Sequence, residues 1–289
     1  MQIFRLFIVI ISLYIVTSHA NSDEISDKLE ESVSKLDKLY YNNKDCRLAV
    51  NLLRISPISC SGIIVHGKET PESHAWIPDI NDPRNAVSFS YLRYDIPTTY
   101  LFSPSGYIYD QHDGSEKAFL QYYCIYPFDS LSVIPSYHSA ASHGCGFADI
   151  QNKAESFSSC PDVSITTADA FIKKYLPNGI GSPIVPQQCS FEPNKMDPFL
   201  TSIDVQIKTK SKYWNELITS IWTEEDAKNL PIIAFFYLFG QDDGRKSALE
   251  YQKDYCEMYG KFIPVVSLDL TKTASGAIRG DRAEQQACL

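Results

Sequence analysis

"AVSFSYLRYD", residues 86–95, alternates apolar and polar side chains in the way that is typical of a β-strand. In an extended strand Val87, Phe89 and Tyr91 point to one face, and Ser88 and Ser90 point to the other. Two small hydroxyl groups side by side contribute little to a hydrophobic core. This stretch therefore predicts either the polar face of an edge strand or the floor of a binding cleft.

Strand-like segments surround this stretch. Between residues 61 and 129, "GIIVHG", "GYIYD" and "FLQYYCIYPF" are short apolar runs separated by Pro, Asp, Asn and Gly. In the last third, "LPIIAFFYLFG" predicts a strand buried on both faces, "DGRKSALEYQKDYCEMYG" a helix ended by Gly260, and "KFIPVVSLDL" a further strand. This order predicts a right-handed crossover, and the whole pattern predicts an α+β fold with flanking helices.

Two segments are less regular. "NELITSIW" is compatible with a strand or a helix. Residues 130–200 are rich in Pro, Ser and Gly, which predicts irregular structure stapled by disulfides. Within them "TADAFIKKYL" predicts a short helix capped by Thr166 or Thr167.

The chain begins with "MQIFRLFIVIISLYIVTSHA", a positively charged start followed by an apolar run and a small-residue cleavage site. This predicts a signal peptide over residues 1–20, and hence a secreted protein, extracellular or periplasmic, with no membrane span. Residues 21–45 carry apolar side chains at helical spacing and predict an amphipathic N-terminal helix. Residues 46–289 are then expected to form a single domain.

The net charge of the chain restricts the partners that it can bind. The 289 residues include 26 Lys and Arg against 35 Asp and Glu, a net charge of −9. Binding to DNA or RNA without sequence preference requires a basic face. We therefore expect no nucleic-acid partner.

Eight cysteines in a secreted chain predict a disulfide framework. Proximity in the sequence favours three bridges and leaves a fourth by elimination, namely Cys46–Cys60, Cys145–Cys160, Cys256–Cys288 and Cys124–Cys189. Other pairings stay open, because spacing alone does not determine connectivity. His143 lies two residues before Cys145, which leaves a thiol nucleophile as an alternative, although a disulfide-bonded Cys145 would be inert.

Familiar catalytic motifs are missing from the sequence. It contains no G-x-S-x-G elbow, no H-E-x-x-H, no Walker loop and no G-x-G-x-x-G. The six histidines lack the spacing of metal ligands, so no metal site is expected.

Three stretches fit one another as parts of one site. They are "SGIIVHGKET", in which a strand delivers His66 to its end, the strand with Ser88 and Ser90, and "YWNELI", in which Glu216 follows Trp214. Taken alone, each has a simpler interpretation. The serines suit an edge strand, the histidine a strand end at the surface, and the glutamate a solvated helix.

The order of these stretches resembles the core of ADP-ribosyltransferase toxins, in which a strand ending in Arg or His before Gly precedes a V-S-x-S strand and then a Glu. "AVSFSYLR" is similar to the Ser-Thr-Ser strand of the cholera- and pertussis-type enzymes, with Phe89 in place of Thr. "IIVHG" is similar to the first-strand His-Gly of the diphtheria-type branch. The resemblance implies a split, mainly antiparallel sheet.

Over roughly residues 60–240 the chain resembles the halovibrins, exported bacterial proteins described as NAD glycohydrolases and ADP-ribosyltransferases. The residues that carry the resemblance are "CSGIIVHG", "VSFSYLR", "GYIYD", "CIYPFD", "GCG", "QCSF", "WNELITSIW" and "LPIIAFFY". His66 departs from the pattern, since Arg is expected at that place. The resemblance implies NAD as substrate, no cofactor, and a host protein as one acceptor.

The residue types suit that chemistry. Cleavage of the nicotinamide–ribose bond develops positive charge on the ribose, as glycoside hydrolysis does. Glu216 would stabilise this charge and Ser88 would orient the carboxylate, so that the rate increases rather than the affinity alone. His66 would hold a ribose hydroxyl or a phosphate, and Ser90 would hold the strand or contact the nicotinamide ribose.

The remaining contacts to substrate are assigned to side chains near these. Arg93 would bind the pyrophosphate, because a guanidinium matches phosphate geometry. Tyr91, Tyr107 and Trp214 would stack on nicotinamide or adenine. Trp214 occupies the position where arginine-modifying transferases carry a second acid, which favours water as the acceptor.

The alternative function, of a non-enzymatic class, is a disulfide-rich binding or adhesion module.

Overall fold

In the computed structural model, the described residues are 24–42, 56–68, 76–78, 85–110, 120–130, 143–146, 159–185, 188–272, 275–281, 285 and 288. The predicted signal peptide lies outside these residues. Within them, no helix is long and apolar enough to cross a membrane.

Eight strands form one sheet. They are β1 (Ile63–Gly67), β2 (Ala86–Leu92), β3 (Ser105–Tyr109), β4 (Tyr122–Tyr126), β5 (Glu216–Ser220), β6 (Ile232–Leu238), β7 (Val265–Leu268) and β8 (Ile278–Gly280). Their order is β4-β5-β2-β1-β3-β6-β7-β8, and every neighbouring pair is antiparallel except β6 and β7. The predicted α+β class with a mainly antiparallel sheet is confirmed.

Five α-helices accompany the sheet in the described part of the chain. They are α1 (residues 24–40), α2 (Ala168–Tyr175), α3 (Met196–Thr209), α4 (Glu224–Ala227) and α5 (Asp242–Tyr259). Helix α1 buries Leu29 and Leu36 in a cluster with Phe236 of β6. Helix α5 buries Tyr255 in a second cluster with Phe235 of the same strand. Because neighbouring residues of a strand face opposite sides, α1 and α5 cover opposite faces of the sheet.

The helix ends follow the expected capping chemistry. The Thr167 side chain accepts a hydrogen bond from the Ala170 N–H at 3.2 Å, which caps α2 as predicted. Gly260 ends α5 with a φ of 62°, and its N–H bonds to the Cys256 carbonyl at 2.8 Å. Helix α3 was not predicted. Its Pro198 lies in the first turn, where the missing N–H has no partner within a helix anyway.

The C-terminal part has the predicted order of strand, helix and strand, since α5 joins the parallel strands β6 and β7. The ambiguous "NELITSIW" forms β5, between β4 and β2. Because β5 has a strand on either side, its backbone N–H and C=O groups form hydrogen bonds to both neighbours, and this favours the strand over the helix that the sequence also allows.

Of the three disulfides seen among the described residues, two correct the predicted pairing. Cys256–Cys288 is confirmed, but the other two bridges are Cys124–Cys145 and Cys160–Cys189, so the predicted Cys145–Cys160 and Cys124–Cys189 are wrong. The backbone explains the difference, because the Cys160 N–H bonds to the Ser190 carbonyl at 2.7 Å and brings Cys160 beside Cys189. Cys60 is also disulfide-bonded, and the predicted Cys46–Cys60 bridge involves Cys46, which lies outside the described residues.

Candidate active site

Strand β2 changes its pairing partner along its length, and this opens a cleft. Residues 86–89 pair with β5, whereas residues 90–92 pair with β1. The β2 edge at residues 86–89 therefore has no β1 residue in register beside it, and β1 continues to Gly67 against β3. A pocket of about 450 Å³ lies at this divergence. Its size is typical of a site for a small molecule.

Six predicted residues line this pocket together: His66, Ser88, Ser90, Tyr107, Trp214 and Glu216. Glu216 opens β5 and lies 128 positions from Ser88, yet the Ser88 hydroxyl donates a hydrogen bond to Glu216 Oε1 at 2.8 Å. This contact follows from the register of the strands, which places Ser88 opposite Ile218, two residues along β5 from Glu216. Residues two apart on a strand share one face.

The Glu216 carboxylate is held from a second side by Ser130. The Ser130 N–H and hydroxyl donate to Oε2 at 3.1 Å and 2.7 Å. Ser130 is buried, and Glu216 is only 5% exposed. Three donors from two separate elements fix the orientation of this carboxylate, which is the arrangement that stabilises a developing positive charge without reorganisation.

His66 closes the end of β1. Its Nδ1 lies 2.7 Å from the main-chain oxygen of Ser88, and since a carbonyl accepts, Nδ1 is the donor. The ring packs 5.3 Å from Phe89 and 5.2 Å from Tyr107, measured between ring centroids. In the neutral ring, Nε2 is then the acceptor. His66 therefore contacts the backbone of the serine strand.

Asn215 is a positioning residue that the sequence analysis missed. Its side chain accepts from the Tyr91 N–H and donates to the Tyr91 carbonyl, both at 2.7 Å, and it also donates to Gln206 Oε1 at 2.9 Å. Ser90 donates to the Asn215 carbonyl at 3.2 Å. Asn215 directly precedes Glu216, so these hydrogen bonds tie β2 to the start of β5 at the point where the two strands separate.

Aromatic side chains border the pocket. Trp214 lines it and contacts the ring of Phe102 edge to face, with 6.1 Å between centroids. Phe102 is 58% exposed, which makes an apolar surface available to a flat ring. Trp222, Ile77 and Pro78 extend this apolar lining.

Tyr91 and Arg93 do not fit their predicted roles in substrate binding. Tyr91 is fully buried, its hydroxyl donates to the Ser61 carbonyl at 3.0 Å, and its ring packs edge to face on Phe199. Arg93 pairs with Asp95 through two hydrogen bonds of 2.6 Å and 2.9 Å. Neither residue lines the pocket. Tyr91 points to the face opposite Ser90 and so into the core, as strand alternation requires.

The thiol alternative is excluded by geometry. Cys145 is bonded to Cys124 with an S–S distance of 2.02 Å, so it holds no thiolate. Among the described residues, no group of three or more His, Cys, Asp or Glu could hold a metal ion. No protein-family model matches the sequence, and no curated protein matches it.

Proposed function

We propose that this protein is a secreted enzyme that cleaves the nicotinamide–ribose bond of NAD. The observation that carries the proposal is the Glu216 carboxylate, which lines a pocket of about 450 Å³ while Ser88 donates to it at 2.8 Å. His66 at the end of β1, the serines on β2 and Glu216 at the start of β5 line one cleft, and this supports the proposal that they act on one substrate.

The proposed chemistry assigns each side chain a role. When the bond from C1′ of the ribose to the nicotinamide nitrogen breaks, its electron pair leaves with the cationic ring, which departs as neutral nicotinamide. Glu216 stabilises the positive charge left on the ribose. Water then adds to C1′ and loses a proton, which yields ADP-ribose. Ser88 and Ser130 hold the carboxylate, and His66 contributes a ring nitrogen to the bound substrate.

Water is the proposed acceptor, and transfer to a host protein is the alternative outcome of the same bond cleavage. Trp214 supports this choice, because it offers neither a carboxylate nor an amide to orient an acceptor side chain, two positions before Glu216. The three disulfides in the described residues support export to an oxidising compartment.

The test is to incubate the purified, oxidised protein with NAD and to quantify nicotinamide and ADP-ribose by chromatography. We expect nicotinamide and ADP-ribose in equal amounts, and release slower by roughly 100- to 1000-fold with the Glu216→Gln variant prepared in parallel, which controls for contaminating hydrolases. Nicotinamide in excess of ADP-ribose would indicate transfer to a protein. Binding of NAD without release of nicotinamide would contradict the proposal and favour a binding module.

A further inference from the structure

The pocket has to accommodate the doubly negative diphosphate of its substrate. Its lining contains two carboxylates, Asp129 and Glu216, and the whole chain carries a net charge of −9. In the part of the chain that the structure describes, Lys68 is the one lysine or arginine that lines the pocket. We infer that Lys68 binds the diphosphate, and that the nicotinamide ribose lies toward Glu216. This inference rests on the proposed function.

The backbone at Lys68 is fixed by its neighbours. The Lys68 N–H bonds to the Ser105 carbonyl at 2.9 Å, and the Ser103 hydroxyl donates to the Lys68 carbonyl. Gly67 faces Gly106 across β1 and β3, and a Cβ at Gly106 would lie 1.9 Å from the His66 oxygen. Only glycine permits this approach, so the end of β1 lies in close contact with β3. The backbone of Lys68 therefore has a fixed position beside the pocket.

The described arginines have other contacts. Arg93 pairs with Asp95, as given above. Arg245 binds Asp281 with 2.5 Å between Nε and Oδ2, and Arg279 lies over the ring of Phe239 at 5.7 Å. None of these arginines lines the pocket. His66 lines it but donates Nδ1–H to the Ser88 carbonyl, which a neutral ring can do. A lysine ammonium, in contrast, carries a permanent charge at neutral pH and is a common phosphate ligand.

The inference predicts a division of affinity along the substrate. An ammonium that contacts the diphosphate should contribute to binding of NAD and of ADP-ribose, but not of nicotinamide, which has no phosphate. A hydrogen bond to a charged group changes an equilibrium constant by about ten- to a hundred-fold. Because the diphosphate does not change its charge in the reaction, the effect should fall on KM more than on kcat.

The experiment compares Lys68→Gln, Lys68→Arg and Arg93→Gln with the wild-type protein. We expect Lys68→Gln to raise KM for NAD and Kd for ADP-ribose about ten- to a hundred-fold, with Kd for nicotinamide unchanged. Lys68→Arg keeps the charge and should stay within a few-fold of wild type. Arg93→Gln is the matched control, and its KM should not change. Thermal melting of each variant checks that it is folded.

The outcomes separate the two proposals. If the wild-type protein releases nicotinamide but Lys68→Gln keeps the wild-type KM and Kd for ADP-ribose, the inference on Lys68 is overturned and the proposed function stands. A loss of nicotinamide affinity as large as the loss for ADP-ribose also overturns the inference, because it would indicate a deformed pocket. If the wild-type protein releases no nicotinamide from NAD, the proposed function fails, and the assignment of Lys68 fails with it.

Discussion

Glu216 is the residue whose surroundings are most specific. Its two oxygens receive hydrogen bonds from different elements, Oε1 from β2 through Ser88 and Oε2 from the segment after β4 through Ser130. A carboxylate that only stabilises the fold does not need to line a pocket, whereas this one does. This position at the pocket is what the proposed role of Glu216 at the ribose requires.

We predict that Glu216→Gln reduces turnover of NAD roughly 100- to 1000-fold, since one preorganised electrostatic contact is lost. The amide keeps the volume and the hydrogen bonds, because its oxygen can accept from Ser130 and the Ser88 hydroxyl can rotate to accept from its NH₂ group. KM and the melting temperature should therefore change little. Steady-state kinetics and thermal melting measure both quantities.

Two neighbouring glutamates provide the control for this variant. Glu224 and Glu225 lie exposed on α4, and their Gln variants should keep turnover within a few-fold. Near-normal turnover by Glu216→Gln, together with inactivity of either control, would refute the assignment of Glu216.

Removing the hydroxyl groups of two buried tyrosines of the sheet should change the free energy of unfolding in different directions. The Tyr107 hydroxyl is buried and has no hydrogen-bond partner among the residues that the structure describes, and burial raises the pKa of this group well above its usual range. The Tyr91 hydroxyl, by contrast, bonds to Ser61. Tyr107→Phe should leave the free energy of unfolding unchanged or raise it, whereas Tyr91→Phe should lower it by about 1–3 kcal/mol.

Urea unfolding of the two tyrosine variants measures this difference. Because phenylalanine keeps the ring in both cases, the comparison isolates the hydroxyl groups. Equal destabilisation by the two substitutions would show that the Tyr107 hydroxyl has a partner that contributes as much as Ser61 does.

At the scale of elements, β2 is the strand that creates the site. It belongs to two ladders, and the change from β5 to β1 falls between Phe89 and Ser90. The Asn215 side chain fixes the backbone at this point, because it forms hydrogen bonds with both the N–H and the carbonyl of Tyr91. The buried amide replaces the ladder bonds that β5 no longer supplies, so the divergence of the strands leaves these backbone groups satisfied.

Helix α5 gives a prediction on pH dependence. Its Tyr255 is buried against Trp76 and Tyr259, with ring centroids 4.9 Å and 4.7 Å away. Burial, with a smaller contribution from Tyr259, raises the pKa of Tyr255 to about 12. An unfolded tyrosine has a pKa of about 10. Below that value both states keep the proton, and stability does not depend on this group.

Above pH of about 10 the unfolded state loses the proton while the folded state keeps it, so the free energy of unfolding should fall until about pH 12. One such group contributes at most about 1.4 kcal/mol per pH unit. Tyr255→Phe should make the fall less steep between about pH 10 and 11.5, as followed by urea unfolding. An identical slope in the variant would mean that Tyr255 does not titrate on unfolding in this range.

For the whole molecule, the disulfides determine the conditions under which it folds. In the described part of the chain, three bridges close segments with sequence separations of 21, 29 and 32 residues. Loss of one native bridge typically costs about 2–5 kcal/mol, which is a large part of the stability of a domain. We predict that a reductant lowers the melting temperature markedly and that a reducing cytoplasm yields little folded protein.

A matched pair of variants separates stability from activity. Cys124–Cys145 joins β4 to residues 143–146, where the Tyr126 hydroxyl bonds to the Gly144 carbonyl at 2.8 Å, and Tyr126 lies opposite Glu216 in the ladder. Removing this bridge with two serines should lower both stability and kcat. Removing Cys256–Cys288 should lower stability alone, because Cys256 lies on α5, which packs against β3, β6 and β7. Equal kcat values in the two variants would contradict this difference.

The sequence by itself determined the elements that depend on local patterns. Alternation of side chains identified β2, short apolar runs between turn residues identified β1, β3 and β4, and a continuous apolar run identified β6. Thr167 and Gly260 marked helix ends, because these signals arise from backbone hydrogen bonding and burial within a few residues. The motif order also singled out His66, Ser88, Ser90 and Glu216, which the pocket brings together.

Only the tertiary structure decided the features that depend on contacts between distant residues. Ser130 and Asn215 had no sequence signal, since a serine or an asparagine in a polar segment looks the same whether or not it reaches a carboxylate or a strand. The pairing of the cysteines followed the backbone that carries them and not their spacing. Arg93 bound Asp95, two residues away, and Tyr91 turned into the core, because strand alternation and nearby charges direct a side chain more strongly than its suitability for a ligand.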